Sequence, residues 1–149
     1  MTEQKIRAVL DTNVVIAAFL SKNPSSPTVE IIARWRDDEF TLLYSDHIRE
    51  EYIEKLLARQ VNLQQAAAFI NNVDKAAIRV PLTDADIVCR VPDDPDDDVF
   101  IACAIVGEAS YLVTYDDHLH ALDEEYKNVR ILNELHFLYA RRGDVPPPH

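Results

Sequence analysis

A chain of 149 residues with 48% apolar residues and a net charge of −11 is expected to fold as one domain around a single core. That charge excludes the broad basic surface by which nucleic-acid-binding proteins usually hold their ligand. A polyanion would have to be met by local positive charge, from bound cations or a few lysines and arginines. Residues 6–10 (IRAVL) are a short apolar run suited to a buried strand, ended by Asp11. Residues 14–20 read as an apolar helix closed by Ser21, Lys22, Asn23 and Pro24. The next helix starts near Ser26 with Pro27 in its first turn, where the missing N–H costs nothing, and ends about Asp37. Residues 40–44 (FTLLY) give a second strand. Ser45 or Asp46 caps a helix reaching about Ala58, with Ile48, Tyr52, Leu56, Ile53 and Leu57 along one broad face.

Leu63, Ala66, Ala67, Ile70 and Val73 mark a further helix, and residues 77–80 a weak strand stopped by Pro81. After a polar segment, residues 96–106 read as a helix that is apolar nearly all round beyond its first turn, which implies burial. Residues 111–114 (YLVT) form a strand, 117–122 a short helix, 129–132 a strand and 133–141 a last helix. Residues 143–149, with three consecutive prolines, read as a disordered tail, which leaves 1–142 as the domain. Trp35 and Tyr52 are expected in or beside the core. The two cysteines, Cys89 and Cys103, have no metal-ligand or redox spacing, and Cys103 reads as a small buried side chain. No apolar run approaches the ~18 residues of a membrane helix and residues 1–7 do not resemble a signal peptide, so the expected compartment is the cytoplasm.

Short apolar strands alternating with helices indicate an α/β domain with a parallel sheet covered on both faces. Right-handed crossovers place every strand's C-terminal end on one edge, where ligands of open α/β sheets bind. Three aspartates belong to that edge. Asp11 follows the first strand, Asp116 follows YLVT and Tyr115, and Asp98 lies in the first turn of the buried helix. Taken singly, each is explained by capping or by the helix macrodipole. Together they are harder to dismiss, because Asp94 alone would cap and Asp96, Asp97 and Asp98 then crowd one turn with no basic neighbour in sequence. Crowded carboxylates repel, and a cation relieves the repulsion; a site made only of oxygens suits Mg²⁺ or Mn²⁺ rather than zinc. His47, His118, His120 and His136 contain no i,i+4 pair, so a histidine metal site is not expected.

The order of these motifs resembles the PIN-domain family. Leu10-Asp11-Thr12-Asn13 after a first strand looks like that family's opening motif. Residues 45–56 (SDHIREEYIEKL) resemble its acidic helix, and 94–104 (DPDDDVFIACA) and 112–116 (LVTYD) its third and fourth motifs. The similarity runs from about residue 6 to residue 138 and is closest to members described as toxin components of toxin–antitoxin pairs. It departs from the pattern at Asp117-His118, where relatives often carry a basic residue followed by an acid, and at residues 90–93, where the chain is longer.

The resemblance implies a three-layer α/β/α fold with a five-stranded parallel sheet in the order 3-2-1-4-5. It puts catalytic and metal-holding roles on Asp11, Glu51, Asp98 and Asp116, with Thr12, Asn13, Ser45 and Thr114 as polar supports that orient ligands or a water. Periodicity alone leaves Glu50 and Glu51 flanking opposite edges of the apolar face; the resemblance selects Glu51. Lys55 has two readings, an i,i+4 ion pair with Glu51 or, with Arg59, a guide for a phosphate backbone. The implied activity is metal-assisted hydrolysis of single-stranded RNA, with an antitoxin protein and a second copy of the chain as partners. Two alternatives stand beside it: a PIN-like module that binds RNA or a protein without cutting, and well-capped helices with an acidic surface. A phosphoacceptor receiver domain fits less well, because it needs an acidic pair where this chain has Asp11 followed by Thr12 and Asn13.

Overall fold

A computed structural model describes residues 5–87, 97–120, 122 and 128–142. Cys89, residues 90–93, the Asp94 cap, Asp96 and the expected tail at 143–149 lie outside the described residues. The strands are β1 (Arg7–Leu10), β2 (Thr41–Tyr44), β3 (Ile78–Arg79), β4 (Tyr111–Val113) and β5 (Arg130–Leu132). The helices are α1 (Thr12–Leu20), α2 (Pro27–Arg36), α3 (Asp46–Ala58), α4 (Leu63–Ala76), α5 (Asp97–Val106), α6 (Asp117–His120) and α7 (Glu134–Arg142).

The strands form one sheet in the order β3-β2-β1-β4-β5, and every neighbouring pair is parallel. This is the α/β fold and the strand order that the resemblance implies. Both faces are covered. Consecutive strand residues point to opposite faces, yet Ala8, Val9 and Leu10 of β1, Leu42 and Leu43 of β2, and Leu112 and Val113 of β4 are all fully buried. At the edge, β3 is two residues long and both are exposed, which matches the weak signal there.

Helix ends follow local chemistry. α1 begins at Thr12, two residues before the apolar run, because the Asp11 carbonyl accepts the Val14 N–H at 3.0 Å. α2 has Ser26 at its N-cap and Pro27 at its start, as the sequence indicates. The polar segment after β3 holds an unforeseen 3-10 turn (Asp84–Asp86), fixed by the Thr83 N–H donating to Asp86 at 2.8 Å.

Aromatic packing joins the layers. Phe69 of α4 meets Phe19, Trp35 and Tyr52 at ring-centroid distances of 5.2, 5.7 and 5.9 Å, so one ring ties together α1, α2, α3 and α4. Trp35 and Tyr52 are buried, as is Cys103. α3 is also held by two fork-shaped ion pairs, Arg49 to Asp74 of α4 at 2.8 and 2.9 Å and Arg79 of β3 to Asp46 at 2.8 and 2.6 Å. The guanidinium hydrogen bonds keep both carboxyls below their ordinary value. These pairs are exposed and act mainly to set the roll of α3.

α5 is buried along Phe100, Ile101, Ala102, Cys103 and Ala104, and it packs on β1, β2 and β4. Gly107 ends it at a close approach. A Cβ there would lie 2.8 Å from the Cys103 carbonyl oxygen, Leu43 Cδ1 and Val80 Cγ2. Gly107→Ala should therefore cost about 1–3 kcal/mol by overpacking, read as a melting temperature several degrees lower. An unchanged melting curve would mean that these neighbours yield freely.

Candidate active site

The site is built where β1 and β4 end side by side. Leu10 pairs with Val113, so Asp11 and Thr114 are the next residues on adjacent strands. The Asp11 N–H donates to the Val113 carbonyl at 2.9 Å and the Thr114 N–H to the Leu132 carbonyl at 2.9 Å. Thr114 is fully buried, and its hydroxyl donates to Asp11 Oδ2 at 2.6 Å. The same hydroxyl oxygen accepts the Asp116 N–H at 2.9 Å. One threonine thus joins the two strand-end aspartates. The Thr114 carbonyl lies 2.7 Å from His120 Nε2; a carbonyl only accepts, so that ring nitrogen carries the proton.

Asp11 separates the capping explanation from the functional one. It stands at the N-cap of α1 with extended backbone, φ −61° and ψ 148°, but its side chain makes no cap hydrogen bond. Its carboxylate turns across to β4 instead and is 5% exposed. Capping does not account for that orientation.

Next to it, Thr12 donates from its hydroxyl to Glu51 Oε2 of α3. The following residue on α3, Tyr52, donates its phenol to the Leu10 carbonyl at the end of β1. Burial pushes the Tyr52 phenol well above its ordinary pKa, and the nearby Asp11 and Glu51 carboxylates push it the same way. It therefore stays protonated and remains a donor. Glu51 is half-buried at this contact, whereas Glu50 is exposed.

Asp98 is 3% exposed in the first turn of α5, beside Asp97 at 5%. The positive end of the helix dipole favours carboxylates there. A cleft of about 190 Å³ opens between α3 and the start of α5, with Glu51, Glu50, Glu54 and His47 on one side and Val99 and Phe100 on the other. Glu51 and the turn that carries Asp98 thus border one opening.

The supporting residues divide. Thr12 and Thr114 bind the acids, as described. Ser45 is buried, and its hydroxyl accepts the Ile48 N–H at 3.2 Å, so it caps α3 and acts on Glu51 only through that helix. Asn13 is exposed on α1, and Lys55 and Arg59 are exposed on and just beyond the last turns of α3. The contacts made by Tyr52 and His120 had no signal in the sequence, because their partners lie on other elements.

Among the described residues, no three acidic, histidine or cysteine side chains are close enough together to hold a cation in this conformation. The donor chemistry nevertheless fits a hard cation. Asp11, Glu51, Asp98 and Asp116 offer carboxylate oxygens only, two of these residues are almost wholly buried, and threonine hydroxyls orient Asp11 and Glu51. The described residues also contain no helix long and apolar enough to cross a membrane.

Three comparisons with known proteins bear on this arrangement. A family model described as PIN domain matches residues 7–118. A solved chain from the crystal structure of VapBC2 from Rickettsia felis, bound to a DNA fragment from their promoter, has the same fold. That match has a TM-score of 0.57 and 13% identity, and it covers 86% of this chain and 98% of the other. No curated protein matches.

The bridging role of Thr114 can be measured. Thr114→Val removes the hydroxyl facing buried Asp11 and should cost about 1–3 kcal/mol in urea denaturation, while Thr114→Ser should cost clearly less. Combined with Asp11→Ala in a double-mutant cycle, Thr114→Val should show a coupling above about 0.5 kcal/mol. Additive losses would mean that the two side chains do not depend on each other.

Proposed function

The chain belongs to the PIN-domain family, and we propose that it is a divalent-metal-dependent ribonuclease that hydrolyses phosphodiester bonds of single-stranded RNA. The observation that carries this proposal is the buried Asp11 carboxylate, which leaves its helix uncapped and shares Thr114 with Asp116. In this reading Asp11, Glu51, Asp98 and Asp116 hold Mg²⁺ or Mn²⁺. When bound, the cation supplies positive charge that makes water easier to deprotonate and offsets charge gathering on the phosphodiester. The chain's own residues position and exclude. Thr12 and Thr114 aim the carboxylates, Ser45 and Tyr52 fix the helix and strand ends that carry them, and exposed Asn13 is available to orient a water. Lys55 and Arg59, one turn apart beyond Glu51, guide the phosphate backbone.

PIN domains are generally nucleases, which supports hydrolysis as the reaction. The fold shared with a chain of the VapBC2 complex supports the role of toxin in a toxin–antitoxin pair. The partners are then RNA, an antitoxin protein and a second copy of this chain, in the cytoplasm. A second reading, a PIN-like module that binds RNA or protein without cutting, is favoured by the net charge of −11.

Cleavage assays distinguish these readings. With Mn²⁺ or Mg²⁺ the protein should cut single-stranded RNA, and EDTA should stop it. Asp11→Asn and Asp98→Asn should each abolish cutting with unchanged circular dichroism, and Glu51→Gln should slow it far more than Glu50→Gln. Cutting that persists in EDTA or in both aspartate variants would remove the metal-nuclease assignment. RNA binding without any cutting would favour the second reading.

Stability gives an independent test. In this reading the four carboxylates draw together around the cation and repel one another without it, so Asp98→Asn should raise the melting temperature in EDTA. The wild type should gain about 2.7 kcal/mol at a hundredfold excess of cation over its dissociation constant, and the variant much less. A variant that is less stable in EDTA, beside a wild type indifferent to metal, would make the carboxylates structural.

A further inference from the structure

The end of β4 leaves one buried carbonyl to be satisfied from outside the sheet. Val113 pairs with Leu10 on one side and Leu132 on the other, the last residues of β1 and β5. Thr114 lies one residue past both ends and is wholly buried. Its N–H still reaches the Leu132 carbonyl, but β1 has turned towards α1 and β5 towards α7, so neither strand continues to meet its own carbonyl. A buried carbonyl without a partner is costly.

His120 supplies the donor. Its Nε2 lies 2.7 Å from the Thr114 carbonyl oxygen, and its main-chain N–H donates to the Asp116 carbonyl at 3.0 Å. One residue thus holds the main chain at both ends of the segment 114–116, which is neither helix nor strand. The Thr114 hydroxyl completes the set, accepting the Asp116 N–H at 2.9 Å and donating to Asp11 at 2.6 Å. Thr114 is then bound through its N–H, hydroxyl and carbonyl, and Asp116 through its N–H and carbonyl. Only the ring bond of His120 comes from a side chain that carries no role in the site so far.

We infer that His120 is a positioning residue for Asp116: through the Thr114 carbonyl it keeps the strand-end turn, and with it the fourth carboxylate, beside Asp11. This rests on the nuclease reading above, in which both aspartates hold the cation. Mg²⁺ demands near-ideal octahedral geometry with oxygens at about 2.0–2.1 Å, so a turn left loose at Asp116 weakens the site without unfolding the domain.

The test compares wild type with His120→Leu, which removes the donor, and His120→Gln, whose amide N–H can stand in for Nε2. His120→Asn carries the same amide one methylene shorter, so the comparison of Gln with Asn survives if His120→Leu does not fold. The first measurement needs no metal. In hydrogen exchange followed by NMR in EDTA, the Asp116 amide should exchange roughly tenfold faster in His120→Leu and His120→Asn. Leu112 and Val113 should keep their protection, and His120→Gln should restore much of that of Asp116. The second measurement is calorimetric titration with Mn²⁺ alone. His120→Leu and His120→Asn should raise the dissociation constant about 10- to 100-fold, and His120→Gln much less. In cleavage assays the deficit of the same two variants should shrink as Mn²⁺ is raised, with KM for RNA unchanged.

Three results would overturn the assignment: equal Asp116 exchange in all four proteins, protection lost from β4 as much as from Asp116, or equal effects of Gln and Asn. Unchanged Mn²⁺ affinity in His120→Leu, beside a wild type that binds the ion, would overturn it while leaving the nuclease reading intact. A wild type that neither binds Mn²⁺ nor cuts RNA removes the nuclease reading, and the exchange measurement then still decides whether His120 holds the turn.

Discussion

The hydrogen bond from the Asp11 N–H to the Val113 carbonyl, 2.9 Å long, closes the pairing of β1 with β4, and the candidate site depends on it. β1 is the middle strand, and the chain winds outward from it in opposite directions, through β2 and β3 on one side and β4 and β5 on the other. The β1–β4 seam is therefore the switch point, where two connections leave the sheet edge in opposite directions and open a crevice. Locking that seam in register places the Thr114 side chain where it can reach Asp11. A slip of one residue would turn every strand side chain to the opposite face and separate the pair. The site is precise because the register is.

Register alone brings only two of the four acids to the seam. Glu51 arrives by helix docking, and the core supplies the force. Tyr52 is wholly buried beside Phe69, its phenol anchored on the last carbonyl of β1, so the residue before it is delivered to Thr12. Asp98 arrives on α5, whose buried apolar length holds its first turn against the sheet. Apolar packing of the helix bodies thus positions charged groups at their ends. Burying carboxylates is unfavourable unless they are hydrogen-bonded, and the two threonines meet that requirement for Asp11 and Glu51.

The legible parts of the chain were those with local causes. Strands showed as short apolar runs, two of them followed by Asp11 and Asp116, α2 showed through Ser26 and Pro27, and the burial of α5 showed in an apolar pattern that goes all round the helix. The strand order came only with the family resemblance, because periodicity says nothing about which strand lies beside which. Within the site, Asp11, Asp98 and Asp116 were legible as acids at element ends. Glu51 was not separable from Glu50 by periodicity, since the distinction lies in a contact with Thr12, 39 positions away in sequence. The links from Tyr52 to Leu10, 42 positions away, and from Thr114 to Asp11, 103 positions away, are likewise products of the fold. Ser45 shows the reverse case: a polar residue assigned to the site by resemblance has a sufficient local role as a helix cap.

The acidic charge narrows what the site can do with a polyanion. Arg34, Arg49 and Arg79 are engaged by carboxylates on the body of the domain, and Lys5 by Asp38. These pairs shape the scaffold and engage four of the chain's fifteen lysines and arginines. Exposed charges more than about 8 Å away are screened at physiological salt, so the net −11 need not repel a ligand already at the seam. What counts is the short-range inventory. It comprises carboxylates suited to a hard cation and, four and eight residues after Glu51, the exposed Lys55 on α3 and Arg59 at its end. A ligand held by such short-range contacts gains little from long-range steering and is selected at contact.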